Sequence, residues 1–127
     1  MVLLVDDEVS IRRVARRALE RNGYRVLEAA DGVEALAVYG SHKNHISLVV
    51  TDMSMPEMSG TELAGRLKTL DPELRILATS GRPPGETIGS VIDCFSDFLP
   101  KPYTVSDLLN SIDHVISNHP SQASGAA

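Results

Sequence analysis

Three aspartates, a serine and a lysine each stand at or just beyond the end of a short apolar run: Asp6, Asp7, Asp52, Ser80 and Lys101. Such runs indicate buried strands. Carboxylates gathered at strand ends repel one another, and a divalent cation would compensate that repulsion. A few hard oxygen ligands suit Mg²⁺ (or Mn²⁺) better than Zn²⁺ or Ca²⁺. With the cation bound, an aspartate could act as a nucleophile on phosphorus.

Asp52 is the predicted nucleophile, because it ends the third and central predicted strand. The ammonium of Lys101 and the hydroxyl of Ser80 could then contact phosphoryl oxygens that the cation leaves free. Each residue also has a simpler interpretation. Asp6 or Asp7 could cap the first helix, Ser80 could be a turn residue, and Lys101 a solvated charge. Their joint occurrence at four strand ends favours one shared site.

Five apolar runs, at residues 2–5, 24–27, 48–51, 76–79 and 98–99, predict five strands. Helical spacing separates them, so the pattern predicts an α/β fold: a five-stranded parallel sheet with helices on both faces. In such sheets ligands bind at the carboxyl ends of the strands. We expect one domain over residues 1–117 and a flexible tail or linker over 118–127. The residues predicted to face the core are Ile11, Val14, Ala15, Ala18 and Leu19, then Val33, Leu36 and Ala37, then Leu63, Leu67 and Leu70, then Ile88, Val91, Ile92 and Phe95, and finally Val105, Leu108, Leu109, Ile112, Val115 and Ile116 after a Thr104 cap.

Composition narrows the class of protein. The 127 residues suffice for one domain, and a net charge of -5 argues against direct nucleic-acid binding. Cys94 is the single cysteine, so an internal disulfide and a multi-cysteine zinc site are excluded. No apolar run approaches the roughly 20 residues of a membrane span, and the amino terminus does not resemble a signal peptide. We therefore expect a cytoplasmic domain without membrane contact.

The ordered set of motifs resembles the receiver domain of two-component response regulators over residues 2–116. The matching stretches are Val5-Asp6-Asp7-Glu8, residues 52–60, Thr79-Ser80-Gly81 and Lys101-Pro102. The resemblance implies the flavodoxin-like strand order 2-1-3-4-5. It also implies that Asp52 is the phosphoacceptor, with the metal held by Asp6, Asp7, Asp52 and the backbone carbonyl of Ser54, and with Ser80 and Lys101 binding the phosphoryl group.

The same resemblance assigns roles in signalling. Ser80 would shift inward on phosphorylation and Phe98 would be the aromatic switch, although core packing explains a phenylalanine equally well. Ser54 and Arg82 would tune dephosphorylation. The Lys101-Pro102 peptide would be cis. Residues 51–56 and 79–81 look like those of receivers fused to hybrid sensor histidine kinases.

The first predicted helix carries five arginines against one glutamate, Glu20. Such a run is commonly a solvated face. By resemblance the helix would instead dock a histidine kinase or a histidine phosphotransfer domain, with Arg13 and Arg17 as the contacts. A homodimer on phosphorylation is a further expectation.

Two other functions remain as alternatives. A metal-dependent phosphatase of the haloacid dehalogenase kind also uses an aspartyl nucleophile, but it needs an aspartate two residues later, where this chain has Ser54. A flavodoxin-like nucleotide binder needs a glycine-rich loop after the first strand, which the sequence lacks. We therefore expect a signalling module and not an enzyme acting on a separate substrate.

Overall fold

A computed structural model describes residues 1–55, 58–81 and 95–117. These residues form five strands and four helices that alternate along most of the chain. The predicted helix around residues 88–92, Arg82, Cys94 and the predicted tail at 118–127 lie outside the described residues. The elements are β1 (Val2–Val5), α1 (Val9–Arg21), β2 (Val26–Ala29), α2 (Gly32–His42), β3 (Leu48–Asp52), α3 (Gly60–Leu70), β4 (Arg75–Ser80), β5 (Asp97–Pro100) and α4 (Val105–Ser117).

The five strands form one parallel sheet in the order β2-β1-β3-β4-β5. Alternate residues of β1 point to opposite faces: Leu3 and Val5 pack with α2 and α3, whereas Val2 and Leu4 pack with α1 and α4. Helices therefore cover both faces, and β3 is the central strand. The predicted fold class and strand order are confirmed.

The second strand begins two residues later than predicted. The helix α1 ends at Arg21 with Asn22 as its C-cap, and Gly23 adopts a positive φ of 89°. The backbone N–H of Tyr24 still donates to the carbonyl of Leu19 at 3.0 Å, so Tyr24 belongs to the helix end. The ladder with β1 starts only at Val26, which pairs with Val2. The prediction of a strand over residues 24–27 was therefore wrong at both ends.

The helix faces were predicted unevenly. In α4, Leu108, Ile112 and Val115 are buried as predicted, and the Thr104 hydroxyl accepts the N–H of Asp107 at 3.0 Å as a cap. Other predicted core residues are exposed: Val14 by 58%, Val33 by 56%, Leu70 by 62% and Val105 by 43%, and Ala37 is exposed too. The buried face of α2 is formed instead by Gly32, Ala35 and Tyr39.

None of the helices in the described part of the chain is both long and apolar enough to cross a membrane.

Candidate functional site

The acidic residues meet because β1 and β3 are neighbouring parallel strands. Val5 pairs with Thr51, so the next residues, Asp6 and Asp52, lie side by side at the carboxyl edge of the sheet. Both are only 6% exposed, whereas Asp7 is exposed. One carboxylate oxygen from each of the three lies within 4.8 Å of the others. This grouping is one that could hold a metal ion.

Lys101 follows β5 and reaches the site from the side of β3 opposite β1. Its Nζ donates to Oδ2 of Asp52 at 3.1 Å and to Oδ2 of Asp6 at 3.2 Å. Its backbone N–H donates to the carbonyl of Ser80 at 2.7 Å, and the Lys101-Pro102 peptide bond is cis as expected. The lysine is therefore fixed at both its backbone and its ammonium.

The charges of the site leave a negative excess. Burial raises the pKa of Asp6, against the opposing effects of the Glu8 N–H and the Lys101 ammonium. Burial alone would lower the pKa of Lys101, but its contacts with Asp52 and Asp6 outweigh that effect and raise it. The cluster thus holds three carboxyl groups, and the one ammonium contacts two of them, Asp6 and Asp52. Hard oxygen donors with a charge excess fit a divalent cation such as Mg²⁺.

Ser54, Ser80 and Phe98 lie around this cluster. The backbone N–H of Ser54 donates to Oδ1 of Asp52 at 3.1 Å, which places the loop after β3 against the carboxylate. Ser80 is 8% exposed at the end of β4. Phe98 lies in β5 and packs against Phe95, with ring centroids 5.2 Å apart. The metal-binding role of the Ser54 carbonyl and the switch roles of Ser80 and Phe98 stay predictions.

The arginines of α1 fall into two groups. Arg12 and Arg16 pair with Glu28 of β2, at 2.8 Å and 2.5 Å. Arg13, Arg17 and Arg21 are exposed and form no ion pair with any residue that the structure describes. The two residues predicted to dock a partner, Arg13 and Arg17, are therefore among the arginines of α1 that no ion pair neutralises.

A groove of about 480 Å³ lies between α1 and α4, beside Lys101. Its lining is mostly apolar and includes Val14 and Val105, the exposed valines described above, together with Ile11 and Tyr103. The exposure of the two valines has a structural reason, because both line this groove.

Sequence reasoning gave no role at the site to three residues, Arg12, Glu28 and Gly60. Arg12 donates to the backbone carbonyl of Asp6 at 2.6 Å and is bound to Glu28. Gly60 lies so close to the end of β3 that a Cβ there would be 2.4 Å from the carbonyl oxygen of Asp52. A glycine eight residues after the proposed acceptor, at the start of a helix, was a signal in the sequence, whereas the Arg12 contacts depend on strand pairing.

Comparison with known proteins finds relatives among sensor kinases and response regulators. The chain is 35% identical over 116 residues to the sensor kinase CckA of Brucella abortus, covering 91% of this chain and 12% of that protein. It is 37% identical over 109 residues to the response regulator MprA of Mycobacterium sp. strain KMS, covering 85% of this chain and 46% of that protein. The chain thus spans less than half the length of either relative.

A solved structure agrees with these relatives. The response regulator protein TrrA from Thermotoga maritima, in complex with Mg(2+)-BeF, superposes with a TM-score of 0.80 at 25% identity, over 90% of this chain and 96% of that one. The family model described as response regulator receiver domain matches residues 2–113. The chain therefore belongs to the receiver domain family of two-component response regulators.

Proposed function

We propose that this domain is the phosphoacceptor of a two-component phosphorelay and that Asp52 takes its phosphoryl group from a phosphohistidine. The observation that carries the proposal is the position of the Asp52 carboxylate. It is nearly buried at the end of the central strand, contacts the Lys101 ammonium at 3.1 Å, and shares a cluster with Asp6 and Asp7. The family match gives no support to the phosphatase alternative.

In the proposed reaction, a carboxylate oxygen of Asp52 forms a bond to phosphorus. The phosphorus–nitrogen bond to the donor imidazole breaks, and its electron pair stays on the imidazole nitrogen. Lys101 would then pair with the new phosphoryl group in place of the Asp52 carboxylate. The hydroxyl of Ser80, at the end of the neighbouring strand, would bond a second phosphoryl oxygen. Positioning and charge stabilisation of this kind are what phosphoryl transfer requires.

Asp6, Asp7, Asp52 and the carbonyl of Ser54 would hold Mg²⁺. The fit rests on three carboxylate oxygens within 4.8 Å that one lysine only partly neutralises. The solved complex of TrrA with Mg(2+)-BeF supports the choice of metal. A bound Mg²⁺ would supply positive charge to the phosphoryl oxygens during transfer.

The experiment is phosphorylation by acetyl phosphate with Mg²⁺, followed by intact mass spectrometry. We expect one added phosphoryl group on the wild-type chain, none on Asp52→Asn, and normal addition on Asp113→Asn, which alters an exposed aspartate on α4. Omission of Mg²⁺ should abolish addition to the wild type. An unlabelled wild type, or equal labelling of Asp52→Asn, would refute the proposal.

We propose that the phosphoryl donor is a histidine kinase or a histidine phosphotransfer domain that docks on α1. The exposed Arg13 and Arg17 would attract acidic groups of the partner, and the apolar groove beside Lys101 would receive its side chains. Reversal of both arginines to Glu should slow transfer from the donor and spare labelling by acetyl phosphate. Arg66→Glu with Lys68→Glu makes the same charge change on α3 and should slow neither reaction. Equal loss in both assays would indicate damage to the site itself.

We also propose that phosphorylation shifts Ser80 and turns the ring of Phe98, which would change the surface near β5. The ring is only partly buried, and it packs against Phe95 and the core beside it, so a movement would require these contacts to rearrange. Ser54, two residues after Asp52, is the residue that we expect to tune dephosphorylation. The identity of the parent protein, and dimerisation on phosphorylation, are separate expectations.

A further inference from the structure

The turn between β1 and α1 carries two of the proposed metal ligands, and Asp6 is fixed there at its backbone. The N–H of Asp6 donates to the carbonyl of Ala29 on β2 at 3.2 Å. The carbonyl of Asp6 accepts from Nη1 of Arg12 at 2.6 Å. Its carboxylate is held separately, with Oδ1 accepting the N–H of Glu8 at 2.9 Å. An arginine side chain thus fixes the peptide that joins Asp6 to Asp7.

Arg12 is itself held by a second strong contact. Its Nε donates to Oε1 of Glu28 at 2.8 Å, while the other oxygen of Glu28 accepts from Arg16 at 2.5 Å. The side chain of Arg12 is 13% exposed and that of Glu28 is 23% exposed, against 43% for Arg16. A guanidinium is planar and rigid, so binding one nitrogen to Glu28 aims the other at the Asp6 carbonyl.

We propose that Arg12, braced by Glu28, is the positioning residue that holds Asp6 and Asp7 in the arrangement needed for the divalent cation. The inference rests on the proposed function and deepens it. Without such a brace, repulsion among three carboxylates would favour opening of the turn, which has an exposed member in Asp7. Groups that orient metal ligands from outside the coordination shell typically change metal affinity by about 10-fold to 100-fold.

Arg12 and Arg16 form a matched pair for the test. Both pair with Glu28 from the same helix, but a contact to the metal-binding turn is shown only for Arg12. The measurement is the Kd of Mg²⁺ by calorimetry on the wild type, Arg12→Gln and Arg16→Gln. We expect Arg12→Gln to weaken Mg²⁺ binding by roughly 10-fold. Arg16→Gln should change it less than about 2-fold, because only a contact remote from the ligands is lost.

A second measurement separates positioning from general damage. The rate of labelling by acetyl phosphate should fall in Arg12→Gln at low Mg²⁺ and recover at saturating Mg²⁺, because the reacting groups themselves are intact. Arg12→Lys should recover little affinity, since an ammonium cannot span both Glu28 and the Asp6 carbonyl. Should Arg12→Gln unfold, Glu28→Gln loosens the same brace while it keeps the arginine, and it should weaken Mg²⁺ binding more than Arg16→Gln does.

Two results would overturn the inference. One is unchanged Mg²⁺ affinity in Arg12→Gln, or in Glu28→Gln where that variant is used. The other is an equal loss of affinity in the matched Arg16→Gln. Failure of the proposed function would look different, because the wild-type chain would then bind no Mg²⁺ and accept no phosphoryl group.

Discussion

We expect Lys101 to have opposite effects on the two processes proposed for the site, which are Mg²⁺ binding and phosphoryl transfer. Its ammonium neutralises part of the negative charge on Asp6 and Asp52, and this disfavours binding of Mg²⁺ by the same carboxylates. The same ammonium would stabilise the charge that develops on a transferred phosphoryl group. A single substitution can therefore separate the two effects.

We predict that Lys101→Met binds Mg²⁺ several-fold more tightly than the wild type but accepts phosphoryl groups more slowly, by roughly 100-fold. Calorimetry gives the first quantity and the time course of acetyl phosphate labelling gives the second. Lys43→Met, which removes an exposed charge at the end of α2, is the control and should change neither. A loss of both Mg²⁺ binding and labelling would contradict the argument.

The sequence predicted the site residues that stand at strand ends, and it missed those that depend on pairing between strands. Asp6, Asp52 and Lys101 could be predicted because each lies near the end of an apolar run, and parallel strands bring such ends together. The Arg12–Glu28 contact joins α1 to β2 across 16 positions of sequence. It was missed for two reasons. The strand β2 was predicted two residues too early, so Glu28 fell outside the predicted strand. The arginines of the first helix were also compared only with Glu20, an acidic residue of the same helix.

At the scale of elements, α3 begins in contact with the end of β3. The N–H of Gly60 donates to the carbonyl of Met53 at 3.0 Å, and a Cβ at Gly60 would lie 2.6 Å from Cα of Met53. Backbone atoms of a buried strand end cannot move aside cheaply. In contrast, a Cβ at Gly65, in the middle of α3, would meet nothing within 4 Å.

These two glycines give a prediction of opposite signs within one helix. Gly60→Ala should lower the free energy of unfolding by about 1–3 kcal/mol, because the added methyl overpacks the strand end. Gly65→Ala should raise it by about 0.5–1 kcal/mol through helix propensity. Urea denaturation of both variants measures the difference. Equal changes in the free energy of unfolding of the two variants would show that the close approach at Gly60 does not affect stability.

Helix faces were predictable where large aliphatic residues repeat and unpredictable where small or polar-tipped residues are buried. Leu108 and Ile112 of α4 follow a regular apolar spacing. In α2 the buried residues include Ala35 and Tyr39, and the tyrosine hydroxyl donates to Asp71 at 3.2 Å. Hydrophobicity alone favoured Val33, which is 56% exposed. The polar partner that makes Tyr39 acceptable in the core lies 32 positions away.

At the scale of the molecule, alternation of strands and helices predicted a parallel sheet, but only the family resemblance supplied the strand order. Alternation constrains handedness and does not decide on which side of β1 each later strand is added. The order matters for the site, because β1 must lie beside β3 for Asp6 to reach Asp52. The fold thus determines the site, and the local sequence determined only part of the fold.

The three tyrosines of the chain give the folded molecule a common response to alkaline pH. Burial raises the pKa of each, with further contributions from nearby carboxylates. For Tyr24, burial and the hydrogen bond to Asp113 raise the pKa to about 12. In the unfolded chain a tyrosine titrates near about 10. Folding therefore favours the protonated phenols.

The sign of the pH dependence follows from the raised pKa values. Between pH 10 and pH 12 the folded chain binds more protons than the unfolded chain, so stability present below pH 10 is lost as pH rises through that window. Tyrosinate absorbance should titrate higher in the native protein than in urea. The urea midpoint should fall across the same range and fall less steeply in Tyr24→Phe. If the urea midpoint falls equally steeply with pH in Tyr24→Phe and in the wild type, the Tyr24–Asp113 contact between the end of α1 and α4 does not contribute to this pH dependence.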